Sequence, residues 1–557
     1  MPLLDLIMQV LNGSHGAAIF AGLRYAFLGC MLLCVGALLL VPRPGRKQLW
    51  LLVSGLWLAV LAVLAYQGAW QLAGFRRPEF VRFLRVHDAR PDALHKQVRR
   101  GTIYDWRGTV LAETHTEDPT RRLYPFGPAA CQVVGYFHPR YGASGMERAA
   151  DAALSGYSFE NMAELDRFGR NLFDRRGAVG GDVRLTLDAE LQRKAYALLA
   201  GEKGAVVVLR PSDGAILCLV SAPGFDPCDP GSALQNAADS PLLNRAVQGL
   251  YPPGSTFKIV GAGMALERHL TPHYRCPGEG FQPEKGGHAI RDSEYYSGLR
   301  EGRGWSGHGR IDLRYGFVHS SNVYFAQLGL ALGAAAYQQA ITACHIDERM
   351  VYYDGLVGSL ASQAGQVPSL SEGNRRGLSQ LAIGQGKLLV TPLHVAMWTA
   401  AVAAQGELWR PRLRADAPPE RLGRVWSAAT ATELREMMRE TVRSGTGRTA
   451  NLAGVQVCGK TGTAEAAGGK DHAWFTCFAP RLHPELVVTV LVENGGYGSQ
   501  AAAPVARALL QEAVDLGLLG EGTQGGAPGA DERGQGQGSG FRVQEIVGNS
   551  EPGCDSR

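Results

Sequence analysis

The hydrophobic pattern opens with two uncharged apolar runs, residues 25–41 and 49–73. A bilayer core takes about 20 apolar residues of helix, so the pair is read as a transmembrane hairpin, with residues 1–75 as a membrane anchor. A signal peptide fits the first run poorly. Only Arg24 stands before it, and no small-x-small cleavage site leads into a polar chain. Arg43, Arg46 and Lys47 lie between the runs, whereas residues 1–16 carry no Lys or Arg. The positive-inside rule then puts the turn in the cytoplasm and both ends outside. Arg76, Arg77, Arg82 and Arg85, just beyond the second run, pull the other way.

Residues 76–180 are polar and Arg-rich, as expected of a small extracytoplasmic module. At Gly181 the texture changes, and a larger domain is expected over 181–518. Residues 183–187 alternate like a strand, and Asp188 is placed to cap a helix over 189–200. Runs 204–209 and 215–220, joined by the turn at 210–214, predict a hairpin. A helical middle follows, with examples at 323–332 and 392–404. The folded part closes with strand-like runs at 455–458, 473–478 and 486–492 and a helix at 501–518. Strands at both ends with helices between predict an α/β sandwich whose sheet is completed by the last three strands. Residues 519–557, rich in Gly, Gln and Ser, have too little apolar surface to fold alone.

A chain of 557 residues has room for several domains. Its formal charge of +5 comes without a long Lys/Arg block, so a nucleic-acid tail is excluded. The ten cysteines include no CxxC pair. Metal spacing is therefore absent, and most are expected to be buried thiols acting as small hydrophobes.

Three short motifs carry candidate chemistry. In Ser255-Thr256-Phe257-Lys258 the chain is broken by Pro252, Pro253 and Gly254 and then runs into an almost wholly apolar helix. Residues three apart share a helical face, so Ser255 and Lys258 are expected to meet at its N-terminal end. A serine hydroxyl needs a neighbouring base. Lysine can be one only if burial and the helix dipole lower its pKa. Ser320-Ser321-Asn322, between apolar flanks, suits a turn that presents a hydroxyl and a carboxamide to one cleft. Lys460-Thr461-Gly462-Thr463 supplies a cation and hydroxyls, with Gly462 leaving room for a ligand's backbone; together they form a carboxylate cradle.

Each motif alone has a blander reading: Ser255 as a helix cap with Lys258 on the surface, and Ser320–Asn322 as a helix-entry turn. The segment from Gly454 to Thr461 also matches GxxxxGK[ST], the phosphate-binding loop. That motif needs a buried strand before its first Gly and a helix after the Lys, and neither is expected here.

In the order SxxK, SxN, KTG, the motifs make the chain resemble the class B penicillin-binding proteins, whose serine enzymes carry SxxK and KTG. The resemblance extends to Gly181–Asp188 with Gln192, to 204–208, 221–227, 383–386 with 391–393, and 473–480, and so covers about 180–518. Residues 100–112 resemble the start of the family's N-terminal module. It implies a penicillin-binding, serine β-lactamase-like transpeptidase domain, an antiparallel sheet sandwiched by helices. Ser255 would be the nucleophile, Lys258 its base and Ser320 a proton relay. Asn322, Lys460, Thr461, Gly462 and Thr463 would bind substrate, and the N–H groups of Ser255 and Thr463 would form the oxyanion hole. The implied activity is D,D-transpeptidation of peptidoglycan stem peptides, trapped by β-lactams. No metal or organic cofactor is implied. Implied partners are the stem peptides and a polytopic SEDS-type glycosyltransferase in the cell membrane. Two alternatives stay open: a D,D-carboxypeptidase with the same site, and a non-catalytic regulator of that glycosyltransferase. The hairpin in place of a single span, and the short 76–180 stretch, depart from the family's pattern.

Overall fold

In the computed structural model the described residues are 99–156, 179–235, 239–355, 358–369, 371–466 and 470–520, with scattered positions between 47 and 65. The chain divides into two units, Met1–Leu94 and His95–Arg557. The first apolar run, and the tail beyond Gly520, lie outside the described residues, and the second run is described only in part. Its described positions between Val53 and Ala65 are helical, and Trp57, Leu58, Leu61 and Leu64 are exposed. Among the described residues no helix is long and apolar enough to cross a membrane.

The second unit begins with a small sheet of strands β1 (Ile103–Tyr104), β2 (Val110–Thr114), β3 (Arg122–Leu123) and β4 (Val183–Arg184), in the order β3-β2-β1-β4. The strand expected at 183–187 is thus only two residues long. It pairs in parallel with β1 of the small module, and beyond it Leu185 bridges to Arg414. Behind this sheet Arg100 and Arg122 close on the fully buried Glu147.

The larger sheet contains β5 (Gly204–Leu209), β6 (Ile216–Ala222), β7 (Cys458–Ala464), β8 (His472–Ala479) and β9 (Leu486–Val492), in the order β7-β8-β9-β5-β6. Every neighbouring pair is antiparallel. The expected hairpin and the closing role of the last strands are therefore present. One boundary moves. A strand was expected at 455–458, but the turn at Gly454 (φ +77) delays pairing until Cys458, so the Lys460 motif lies inside the strand.

Both faces of the sheet are covered, which explains why β5, β6 and β9 read as continuous apolar runs. Helices α1 (Ala189–Leu198), α2 (Lys258–Glu267), α3 (Ser293–Arg300), α4 (Asn322–Leu332), α5 (Pro392–Ala403), α6 (Ala428–Arg443) and α7 (Ala502–Asp515) supply the covering layers and the cleft. The strand period of two sorts the side chains. Val207, Leu209 and Leu491 belong to the core on the α5 side of the sheet, while Val206, Val208 and Val490 belong to the core that holds residues of α1 and α7. Asp188 caps α1 as expected, accepting from Leu191 N at 3.0 Å, and its other oxygen takes Trp106 Nε1 and Arg107 Nε of the small module, each at 2.9 Å. Cys131, Cys218, Cys276, Cys344, Cys458 and Cys477 are buried free thiols.

Candidate active site

Ser255 is half-buried on a 3-10 turn, Gly254–Phe257, that runs straight into α2. Local sequence brings this turn onto the sheet. Gly254 has φ +54, and a Cβ there would stand 2.5 Å from the Thr463 carbonyl oxygen. Gly462 answers from the strand side, where a Cβ would meet Trp474 Cβ at 2.8 Å, Thr256 Cγ2 at 2.9 Å and Pro253 O at 3.2 Å. Gly462 was expected to leave room for a ligand's backbone. The space beside it is taken by Thr256 and Pro253 of the 253–256 turn, and the missing side chain is what lets the Ser255 loop dock against β7.

Lys258, the first residue of α2, is fully buried. Its Nζ donates to the Ser320 carbonyl at 2.6 Å, to Asn322 Oδ1 at 2.7 Å and, more weakly, to Ser320 Oγ at 3.4 Å. Ser255 precedes Lys258 by three residues on the adjoining 3-10 turn, and among the described residues no hydrogen bond joins the two. A buried ammonium must satisfy its donors, and the oxygens of the 320–322 turn take them. Burial brings the Lys258 amine down to about 7, against the opposing pull of Asp292 and Glu294.

Ser320 has φ +58, in the left-handed region that is uncommon for a non-glycine residue. Ser321 caps α4, its Oγ accepting from Tyr324 N at 3.1 Å, and Asn322 opens that helix. The turn brings Ser320 Oγ and Asn322 Oδ1 to the same amine, Lys258 Nζ. Asn322 is engaged within the protein as well, with Nδ2 donating to the Arg291 carbonyl at 3.0 Å.

Lys460 is also fully buried, and donates from β7 to Ser320 Oγ at 2.8 Å and to the Thr461 carbonyl at 3.3 Å. Burial first, and then the neighbouring Lys258, push it well below the usual lysine range. Gly459, Lys460 and Thr461 stand in register with Cys477, Thr476 and Phe475 of β8. A flat ladder of this kind cannot curl round a phosphate, which disposes of the phosphate-loop reading. Ser320 Oγ is thus the point where both lysines converge.

Sequence reasoning missed two contributors. Thr446 shares a hydroxyl–hydroxyl hydrogen bond of 2.7 Å with Thr461. Its signal was the small-residue stretch Ser444–Gly447 just after α6. Asp292, buried beneath the 320–322 turn, had no local signal at all.

Residues 204–511 match the penicillin binding protein transpeptidase domain, and residues 100–179 match the penicillin binding protein A dimerisation domain. The peptidoglycan D,D-transpeptidase PbpA of Mycolicibacterium smegmatis is 32% identical over 437 residues, which is 71% of this chain and 84% of that protein. The peptidoglycan D,D-transpeptidase MrdA of Acinetobacter baumannii is 30% identical over 454 residues, 69% of this chain and 65% of that one. Among solved structures, the ceftriaxone acyl-enzyme of penicillin-binding protein A from M. tuberculosis superposes with a TM-score of 0.67 at 29% identity, covering 76% of this chain and 100% of that one. Its penicillin G acyl-enzyme gives 0.64 at 30% identity, covering 75% and 99%.

Proposed function

The chain belongs to the penicillin-binding protein transpeptidase family, and from that premise we propose that it is a peptidoglycan D,D-transpeptidase acting through a Ser255 acyl-enzyme. The observation that carries this reading is the convergence of Lys258 and Lys460 on Ser320 Oγ, beside the turn that holds Ser255. A lysine near 7 is half neutral at neutral pH, whereas an ordinary lysine, with a pKa of about 10.4, is almost wholly charged there.

Ser255 Oγ attacks the penultimate D-alanine carbonyl of a stem peptide as neutral Lys258 takes the hydroxyl proton. The N–H groups of Ser255 and Thr463 hold the oxyanion. The proton passes through Ser320 to the departing D-alanine amine as the peptide bond breaks, leaving an ester on Ser255. An acceptor stem-peptide amine then attacks the ester, its proton returns to Ser255, and the cross-link is made. Lys460, Thr461 and Thr463 hold the terminal carboxylate, and Asn322 the substrate amide. β-Lactams enter as the D-alanyl-D-alanine end and remain as an ester.

The two N-terminal apolar runs support anchoring in the cell membrane, with the catalytic domain outside, where stem peptides lie, and beside a SEDS-type glycosyltransferase. An impermeant thiol reagent tests that topology: labelling of a cysteine introduced at Gly45, but not of one in the tail, overturns it.

Intact-mass measurement of the purified protein with penicillin G tests the chemistry. A single penicilloyl adduct is expected, with none on a folded Ser255→Ala variant. An adduct on that variant sinks the assignment. Supplying an acceptor amine and finding dimeric rather than only trimmed peptide separates transpeptidase from carboxypeptidase.

A further inference from the structure

Beneath the Ser320–Asn322 turn lies a carboxylate that the mechanism above does not use. Asp292 is 2% exposed and stands at the entry to α3, yet makes no side-chain cap bond to that helix. Its Oδ1 accepts instead from Ser321 Oγ at 3.0 Å and from Val323 N at 3.1 Å, and its Oδ2 lies 3.2 Å from the same hydroxyl. The preceding carbonyl, of Arg291, takes Asn322 Nδ2. Residues 291–292 thus grip Ser321, Asn322 and Val323 in succession. The residue just outside that grip is Ser320, in its left-handed conformation. Such conformations persist only where the surroundings over-determine them.

We propose that Asp292 is a positioning residue for the transpeptidase reaction. Its carboxylate clamps the first turn of α4 through Ser321 and Val323. The clamp holds Ser320 with its Oγ on Lys460 and its carbonyl on Lys258. This rests on the acyl-enzyme reading of Ser255.

The clamp also carries charge. Burial dominates the environment of Lys258, and Asp292 is the larger of the two carboxylate influences that oppose it, ahead of Glu294. The groups around the pair are few. Lys460 faces Lys258 across the cleft. His308 Nε2, buried and without a hydrogen-bond partner, lies 3.7 Å from Asp292 Oδ2, and the Cys276 thiol lies within the carboxylate's field. Removing the Asp292 charge therefore lowers the Lys258 pKa further, which moves the acid limb of acylation to lower pH and makes the amine a weaker base.

Acylation rates with penicillin G across pH, together with melting curves, test this on the full chain. Wild type must form the adduct; if it does not, the parent reading has failed. Given that adduct, Asp292→Asn keeps the shape and one acceptor oxygen but not the charge. Its plateau rate should fall about tenfold, the scale of one charge-assisted hydrogen bond, and its acid limb should move down in pH. Ser321→Ala keeps the charge and loses one clamp bond, so its plateau should fall without a move of the limb. A pH shift in one variant and not the other is something a general loss of packing does not produce. A folded Asp292→Asn with wild-type plateau and limb overturns the proposal. If Asp292→Asn does not fold, a wild-type rate in Ser321→Ala overturns it equally.

Discussion

In the small module Glu147 is fully buried and both of its oxygens are answered, Oε2 by Arg100 Nε at 2.6 Å and Oε1 by Arg122 Nε at 2.7 Å. Arg100 reaches Asp151 as well, at 2.6 Å. In the cleft Lys258 and Lys460 are as deeply buried, yet among the described residues neither forms an ion pair. Burial alone would raise the Glu147 carboxyl, but Arg122 and Arg100 hold it below its ordinary value. Nothing comparable rescues the lysines, so burial wins and their pKa values fall. The same cost of removing charge from water is met by pairing in one region and by giving up the proton in the other. A paired buried charge fixes architecture. An unpaired one, kept close to neutral, is available for proton transfer.

The comparison breaks first at Lys258. Lys258→Ala removes the proposed base and should slow penicillin acylation by about 10²–10⁴-fold. Its melting temperature should hold or rise, because a costly buried amine has gone. A wild-type rate would show that the base lies elsewhere. Glu147→Ala is the converse experiment. It strands the Arg122 guanidinium, leaves Arg100 paired with Asp151 alone, and should cost about 3–5 kcal/mol in denaturant unfolding, while acylation per folded molecule stays unchanged.

The two regions should also separate along the pH axis. The neutral fraction of Lys258 is lost as pH falls through about 7, so acylation should decline there. Glu147 has a depressed folded value, so its contribution to stability is present above the ordinary carboxylate value of about 4.3 and fades as pH falls through the folded one. Between pH 8 and 6 the rate should therefore change while this part of the stability does not. Parallel rate and melting profiles check both. The smallest effect is expected at Thr446→Val, which removes one hydroxyl from Thr461. A loss of about 1 kcal/mol or less in penicillin binding is the scale of one neutral hydrogen bond, read as weaker saturation at an unchanged limiting rate.

The parts of this site written as short-range chemistry were legible in the sequence. Ser255, Lys258, Ser320, Asn322 and the Lys460–Thr463 run stand in recognisable order, and the runs that became β5, β6, β8 and β9 carry strand-length apolar patterning. What could not be read depends on chain brought from elsewhere. The need for a glycine at 462 is set in part by Thr256 and Pro253, which lie far away in sequence. Asp292 acts on Ser321 across a loop and a helix. The left-handed Ser320 has no local signature, since neither glycine nor asparagine occupies the position. The start of β7 was misjudged because Val455 and Val457 are buried apolar residues in irregular chain, and their pattern mimics a strand.

The antiparallel pairing of β9 with β5 has a consequence for how the molecule is made. Val487 stands opposite Leu209, so the sheet joins segments separated by most of the domain. A ribosome releases the Ser255 turn long before it releases Lys460 or the strand that completes the sheet. Contacts this distant carry a loop-closure cost that is met late, and such topologies fold slowly. The nascent chain therefore holds Ser255, Lys258 and Ser320 without Lys460 or Thr463 until the last strands emerge. A chain cut short before Cys458 would lack Lys460 and Thr463, and with them the strand that completes the site beside Ser255.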